Sequence, residues 1–230
     1  KDVCDCWVDS SVSPLTVSKW QEDEEFFNKV YPTKLRPQGY EIIRTWTFYT
    51  IFRDLILTGQ PCFKDLMING MVAGPDGKKM SKSLGNVVEP EDVLKKHPAD
   101  AIRQWAATGS LGEDFPFSWD ECEHSSKFLT KLWNVSRFIS SHLEDFVDKG
   151  VTSEDLELRI SDKWVLSKLQ KVVETANVNF EKYVFNIPTQ EIRGFVWHEL
   201  ADYYLEMVKH RLYKPEIYGE ESRRAAQYTL

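Results

Sequence analysis

The chain is poor in the features that mark a secreted, membrane-bound or metal-held protein. Only four of its 230 residues are cysteine, and Cys4, Cys6, Cys62 and Cys122 form no C-x-x-C pair. A structural zinc site needs four clustered ligands; here the only close pair is C-x-C, and His97, His124 and His142 are scattered. We therefore expect no metal site, and reduced structural thiols in a cytoplasmic protein. No apolar run approaches the roughly 18 residues that span a bilayer, so no membrane partner is expected. Residues 1–10 lack the basic-then-apolar pattern of a secretion leader. There is no repeat of fixed period and no low-complexity tract. An initiator Met is lacking too, and residues 220–230 read as helix up to the last residue. The expectation is a piece cut from a longer protein.

What is present is a globular composition, 42% hydrophobic and 13% aromatic, with eight Trp and 13 Phe that need burial. The formal net charge of −7 speaks against a uniformly basic surface for nucleic acid. The charge is patchy, however. Residues 33–53 hold Lys34, Arg36, Arg44 and Arg53 against Glu41 alone. Residues 78–103 hold Lys78, Lys79, Lys82, Lys95, Lys96 and Arg103 against Glu89, Glu91, Asp92 and Asp100.

The pattern changes character near residue 120. Before it, residues 34–39 read as a strand, 41–57 as a helix and 63–72 as a second strand, the order of a βαβ crossover in a parallel sheet. Gly74-Pro75-Asp76-Gly77 is a turn, and 78–86 a polar surface loop. Pro90 opens a helix to residue 97, and 99–108 is another. After residue 120 three apolar stripes recur at helical spacing. They are Phe128, Leu132, Val135, Ile139, Leu143 and Phe146; then Val165, Leu169, Val172, Ala176, Phe180 and Tyr183; then Ile192, Val196, Leu200, Tyr203 and Met207. Ser161 with Asp162 reads as the N-cap of the second. Three such helices form a bundle.

The sharpest chemical feature is Gly77-Lys78-Lys79-Met80-Ser81-Lys82-Ser83-Leu84-Gly85-Asn86. Three ammonium groups and two hydroxyls on a glycine-bounded loop suit a polyphosphate, whose leaving pyrophosphate needs cationic neutralisation. The G-x-x-x-x-G-K-[ST] phosphate loop is excluded by spacing, since position 72 is valine.

The Lys79-Met80-Ser81-Lys82-Ser83 run resembles, in full, the KMSKS signature of class I aminoacyl-tRNA synthetases. Gly39-Tyr40-Glu41-Ile42-Ile43-Arg44-Thr45-Trp46 resembles the G-x-D-I-I-R-T-W segment of their valine-type members. Phe117-Ser118-Trp119-Asp120-Glu121, followed by Phe128-Leu129-Thr130-Lys131-Leu132-Trp133-Asn134, resembles the join between their stem-contact fold and anticodon domain. Asp162-Lys163-Trp164, Trp197-His198-Glu199-Leu200 and Tyr203-Tyr204-Leu205-Glu206 resemble helices of the anticodon domain. Trp7-Val8-Asp9-Ser10-Ser11 is most similar to archaeal-type valine enzymes. The resemblance covers essentially the whole chain.

It implies a fold of class α/β plus all-α: the second half of a Rossmann-like parallel sheet (1–73), the signature loop with a stem-contact fold (74–123), and a truncated antiparallel anticodon-binding bundle (124–230). It implies that Lys79 and Lys82 stabilise the pyrophosphate side of adenylation. Met80 and the strand at Met71 and Val72 would cover adenine, with Ser81 and Ser83 adding hydrogen bonds in the loop. Gly39 would admit the ribose and Glu41 bind its hydroxyls. Trp7 and Trp46 would wall a slot for a branched aliphatic side chain. Lys127, Lys131 and Arg137, on one long helix, are candidates for tRNA contact. The implied partners are valine, ATP with Mg2+ as substrate, tRNA(Val) and the rest of a longer synthetase chain.

Some residues depart from the family. Glu41 stands where it has Asp, and Cys4 and Cys6 where a larger aliphatic residue and a Thr are expected. The HIGH signature, which binds ATP phosphates, does not occur; His97-Pro98-Ala99-Asp100 does not match it. The editing insertion is absent as well. The expectation is a chain inactive alone, whose truncated bundle leaves an apolar face open. The rivals are the same reaction with isoleucine or leucine, and a non-catalytic tRNA-binding module.

Overall fold

A computed structural model of the chain describes residues 3, 5–147 and 150–230, so Cys4 lies outside the described residues. The chain forms two units: Lys1–Lys79 with Ser110–Pro116, and Met80–Gly109 with Phe117–Leu230.

The first unit opens with three short helices. Asp5 caps α1 (Cys6–Ser10) by accepting the Trp7 N–H at 2.9 Å. α2 (Ser13–Val17) has Pro14 in its first turn, and Asp23 caps α3 (Glu24–Val30) through the Phe26 N–H. Strand β1 (Thr33–Gly39) then pairs in parallel with β2 (Phe63–Asn69), from Thr33 opposite Phe63 to Gly39 opposite Asn69. Helix α4 (Phe48–Thr58) makes the crossover and ends at Gly59, whose φ of 78° closes the last turn. Leu15, Tyr31 and Cys62 form the buried centre, with Trp20, Phe27, Ile51 and Phe63 packed on it.

Two expected elements are subdivided. The helix over 41–57 is a 3-10 turn at Tyr40–Ile42, a π turn at Ile43–Thr47, and α4. Its threonines offer the backbone alternative partners: Thr45 donates to the Ile42 carbonyl and Thr50 to that of Trp46. The strand over 63–72 stops at Asn69. After Gly70 the chain enters β3 (Val72–Ala73), which pairs in parallel with β4 (Phe115–Pro116).

In the second unit a 3-10 turn at Lys82–Leu84 precedes α5 (Pro90–Leu94) and α6 (Ala99–Ala106), each shorter than expected. Ser118 caps the long helix α7 (Trp119–Leu143) on the Glu121 N–H. There follow α8 (Ile160–Phe180), α9 (Asn186–Gly194), a π-helix at Phe195–Tyr204, α10 (Leu205–Tyr213), α11 (Pro215–Tyr218) and α12 (Glu220–Thr229). The core holds Val165, Phe195, Tyr204, Val208, Leu212 and Ala226. Among the described residues no helix is long and apolar enough to cross a membrane.

Two expectations about these helices need correction. The third stripe holds only in part: Val196 and Leu200 pack on the core, but Ile192, Tyr203 and Met207 are exposed, while Phe195, Tyr204, Leu205, Val208 and Leu212 are buried. The π-helix makes i→i+5 hydrogen bonds, so its wider turns rotate the buried face away from the α-helical period. The expected N-cap of α8 is also displaced. Asp162 is the third helical residue, and its carboxylate reaches back to the Arg159 N–H at 3.0 Å. It is fully buried, and takes a bidentate ion pair from buried Arg211 (2.7 and 3.0 Å) and the Tyr204 hydroxyl at 2.8 Å. Arg211 spends its other donors on the Ser222 carbonyl and hydroxyl. Every charge in this network is matched, as burial demands.

Candidate functional site

The ends of the paired strands assemble most of the expected residues of the first unit. Gly39 closes β1, and Glu41 sits in the 3-10 turn just beyond it. Gly39 has an ordinary φ of −76°, so its backbone conformation does not require glycine; what a side chain would contest is the space beside it. A Cβ would lie 2.3 and 2.7 Å from the Glu41 carboxylate oxygens. The missing side chain is filled by the carboxylate, which folds back over the strand end. Parallel strands collect ligands at their carboxyl ends, and the pair stands there.

Trp7 lies in α1 with its ring edge-on to Tyr49, centroids 6.4 Å apart. Trp46 lies in the π turn; its indole N–H donates to the Ser10 carbonyl at 3.2 Å, and the Arg36 guanidinium covers its ring at 4.4 Å. Both indoles are half-buried. Thus α1 and the residue after it are anchored to the π turn by Trp46 and to the middle of α4 by Arg53, which donates to the Val8 carbonyl and the Ser11 hydroxyl.

Met71 is in no strand; it sits between β2 and β3, with Val72 opening β3. The expected turn then forms: the Gly74 N–H donates to the Lys78 carbonyl at 2.8 Å, and Gly77 adopts φ 74°. An antiparallel bridge between Ala73 and Lys79 fixes the start of the signature, leaving the Lys79 side chain exposed.

The boundary between the units falls after Lys79, so Met80, Ser81, Lys82 and Ser83 belong to the second. There the signature is a built turn. Ser81 caps the 3-10 turn, its N–H donates to the Asn86 side chain at 2.9 Å, and its hydroxyl shares a hydrogen bond with that of Ser83 at 2.7 Å. Gly85 takes φ 64° to close it. The Lys82 side chain is exposed.

The three cations expected on α7 are not equivalent. Lys127 pairs with Glu123 at 3.3 Å on its own helix. Lys131 pairs with Asp202 at 2.5 Å and lies 4.8 Å over the Trp197 ring. The bond from Lys131 holds the Asp202 carboxyl below its ordinary range. Lys127 and Lys131 line a groove of about 840 Å³ with Lys209, Trp197 and Phe138; Arg137 is exposed outside it. Trp197 lies in the Trp197-His198-Glu199-Leu200 run, while Lys209 falls in no sequence motif; only the fold brings both to this groove.

Away from these residues, Asp54 is fully buried beside Tyr31 and Cys62. Its Oδ2 accepts from Tyr31 at 3.4 Å, and Oδ1 has no hydrogen-bond partner among the described residues. Burial pushes its pKa up to about 6, against the lowering bonds from Cys62 and Tyr31. Burial likewise pushes the Cys62 thiol and the Tyr31 phenol up to about 12. Cys122 is a second buried thiol and Cys6 an exposed one. Among the described residues no group of three or more His, Cys, Asp or Glu could hold a metal.

Residues 1–118 match the family model of class I tRNA synthetases (I, L, M and V), and residues 162–230 that of the anticodon-binding domain of tRNA ligases. Along its whole length the chain is 51% identical to valine--tRNA ligase of Pyrococcus furiosus, covering 26% of that protein. It is 47% identical to that of Methanocaldococcus jannaschii and 50% to that of Methanosarcina acetivorans, again over 26% of each. The chain thus spans about a quarter of the length of these curated relatives. In fold it is similar to LeuRS of Agrobacterium radiobacter K84 in a ternary complex with tRNA and LeuAMS: TM-score 0.76, 22% identity, 98% of this chain and 28% of that one. Methionyl-tRNA synthetase of Mycobacterium tuberculosis, solved with methionyl-adenylate, gives TM-score 0.73 at 21% identity, over 97% of this chain and 44% of that one.

Proposed function

This chain belongs to the class I tRNA synthetases, and on that premise we propose that it is a segment of a valine–tRNA ligase. The parent activates valine with ATP, accompanied by Mg2+ as part of that substrate, and transfers it to tRNA(Val) in the cytoplasm. Residues 1–73 supply the second half of the nucleotide-binding sheet, 74–123 the signature loop and stem-contact fold, and 124–230 part of the anticodon-binding bundle. The observation that carries this reading is the unbroken Lys79-Met80-Ser81-Lys82-Ser83 run, in a chain about half identical over its full length to valine--tRNA ligases.

Each residue then has a physical task. Exposed Lys79 and Lys82 neutralise charge as pyrophosphate departs, an interaction that strengthens toward the transition state. The Glu41 carboxylate, folded over the bare Gly39 backbone, accepts from the ribose hydroxyls. Backbone at Met71 and Val72 covers the adenine. Trp7 and Trp46 bound the slot for valine, whose apolar side chain calls for shape and desolvation. Lys127, Lys131 and Arg137 meet tRNA phosphates, which makes binding steeply salt-dependent.

The test is valine-dependent ATP–pyrophosphate exchange by the full-length synthetase, with isoleucine and leucine as competitors. Valine is expected to give the highest kcat/KM, and this chain by itself to give no exchange. Preference for isoleucine or leucine would refute the amino-acid assignment, and exchange by the isolated chain the fragment reading. Absence of exchange in the full-length protein, with tRNA binding retained, would favour the non-catalytic module.

A further inference from the structure

Gly70 is closed to any side chain. A Cβ there would stand 1.9 Å from the Glu113 carbonyl oxygen and 2.2 Å from its carbon. Because the obstacle is main chain, it cannot swing aside. The bare glycine lets residues 110–116 press against the chain just after β2.

At that point Asp114 accepts two diverging hydrogen bonds. Oδ1 takes the Met71 N–H at 2.7 Å, and Oδ2 takes the Tyr40 hydroxyl at 3.1 Å. The carboxylate pushes the Tyr40 phenol above its ordinary pKa, chiefly through that hydrogen bond. The Phe115 N–H then donates to the Met71 carbonyl at 3.1 Å, and β3 and β4 continue the contact.

The two anchored residues are matched in the fold. β1 and β2 end side by side at Gly39 and Asn69. Tyr40 is the first residue beyond one end and Met71 the second beyond the other. Tyr40 precedes Glu41; Met71 precedes Val72. One carboxylate therefore ties the turn that carries Glu41 to the backbone that leads into β3.

We propose that Asp114 is a positioning residue for the nucleotide site: it sets the spacing between the ribose-binding turn at Tyr40–Ile42 and the adenine-covering backbone at Met71 and Val72. This rests on the nucleotide reading above. Asp114 acts through Tyr40 and Met71 and meets no reacting atom. A charged acceptor suits the task, because hydrogen bonds to a carboxylate are shorter and stronger than neutral ones.

The experiment measures pyrophosphate exchange by the full-length synthetase carrying D114A, D114N, Y40F or Y40F/D114A, with melting curves for each. In D114A the KM for ATP is expected to rise about tenfold or more, while that for the amino acid stays within about twofold. D114N, whose amide oxygen still accepts from Met71, is expected to recover much of the loss. Y40F is expected to raise the KM for ATP by a smaller factor, and the double variant to be no worse than D114A. An unchanged KM for ATP in folded D114A overturns the proposal, as does an equal rise in both KM values. If D114A fails to fold, Y40F decides, because it removes one exposed hydroxyl and leaves the backbone intact; an unchanged KM for ATP in Y40F then overturns it. The KM for ATP is read with whichever amino acid the wild type activates. A wild type that prefers isoleucine therefore refutes the valine assignment and leaves the test of Asp114 standing.

Discussion

Replacing Arg211 by methionine tests the central argument about the helical unit. Methionine is close to the aliphatic part of arginine in length and fills the core well. The change removes both guanidinium bonds to Asp162 and the donors that serve Ser222. It leaves a carboxylate with no exposed surface, held only by the Arg159 N–H and the Tyr204 hydroxyl. Breaking a buried ion pair from one side costs about 3–5 kcal/mol, since the surviving charge stays uncompensated. At about 2–4 °C per kcal/mol the melting temperature should fall by roughly 6–20 °C. The assay is thermal and urea denaturation of the chain followed by helical circular dichroism. The double variant D162N/R211M removes the buried charge, and asparagine keeps an acceptor for Arg159. It should recover at least about 1 kcal/mol relative to R211M. A loss below about 1 kcal/mol in R211M, or a double variant no more stable than the single one, would refute the reasoning.

Asp54 predicts a pH dependence of the first unit. Its folded pKa, raised to about 6, lies above the ordinary carboxylate value, so the folded state binds the proton more tightly. The contribution of Asp54 is full below about pH 4 and declines as pH rises through about 6, by about 3 kcal/mol in all; D54N should flatten this slope in denaturation measured from pH 4 to 8. The substitution G39A should cost the fold under about 1 kcal/mol, because only the end of the Glu41 side chain must move, yet raise the KM for ATP of the full-length synthetase. G70A meets main chain instead and should lower stability by about 1–3 kcal/mol in a chemical melt. K79A and K82A, both at exposed positions, should leave the melting temperature unchanged and cut the exchange rate constant about a hundredfold.

The signature loop was legible because its chemistry is contiguous: five neighbouring residues carry it, and the flanking glycines mark the turns. The βαβ unit was legible for a related reason, since strand and helix periods differ and glycines punctuate them. Relations between distant segments were hidden. Asp162 looked like a cap because a short polar residue preceded an apolar run; its partner Arg211 lies 49 residues on. Lys131 reads in the sequence as a candidate for tRNA contact, and its pairing with Asp202, 71 residues away, is invisible there. Asp114 meets Tyr40 across 74 residues, and the one local hint is an isolated glycine, Gly70, inside the strand expected over 63–72. The third stripe holds at Val196 and Leu200 and fails at Tyr203 and Met207, because hydrophobic periodicity presumes a constant pitch, which a π segment does not keep.

That π segment has a consequence for how the chain can vary in length. Ten residues at Phe195–Tyr204 are wound more loosely than an α-helix would wind them. The stretch therefore stores slack. Removing one residue there can be absorbed by tightening the coil, with Tyr204 and Arg211 still arriving at Asp162. The same deletion in α8 has no slack to draw on, and turns everything downstream by about 100°. Among natural variants of this sequence, single-residue gaps in the last helices should gather between 195 and 204 and be rare from 160 to 180.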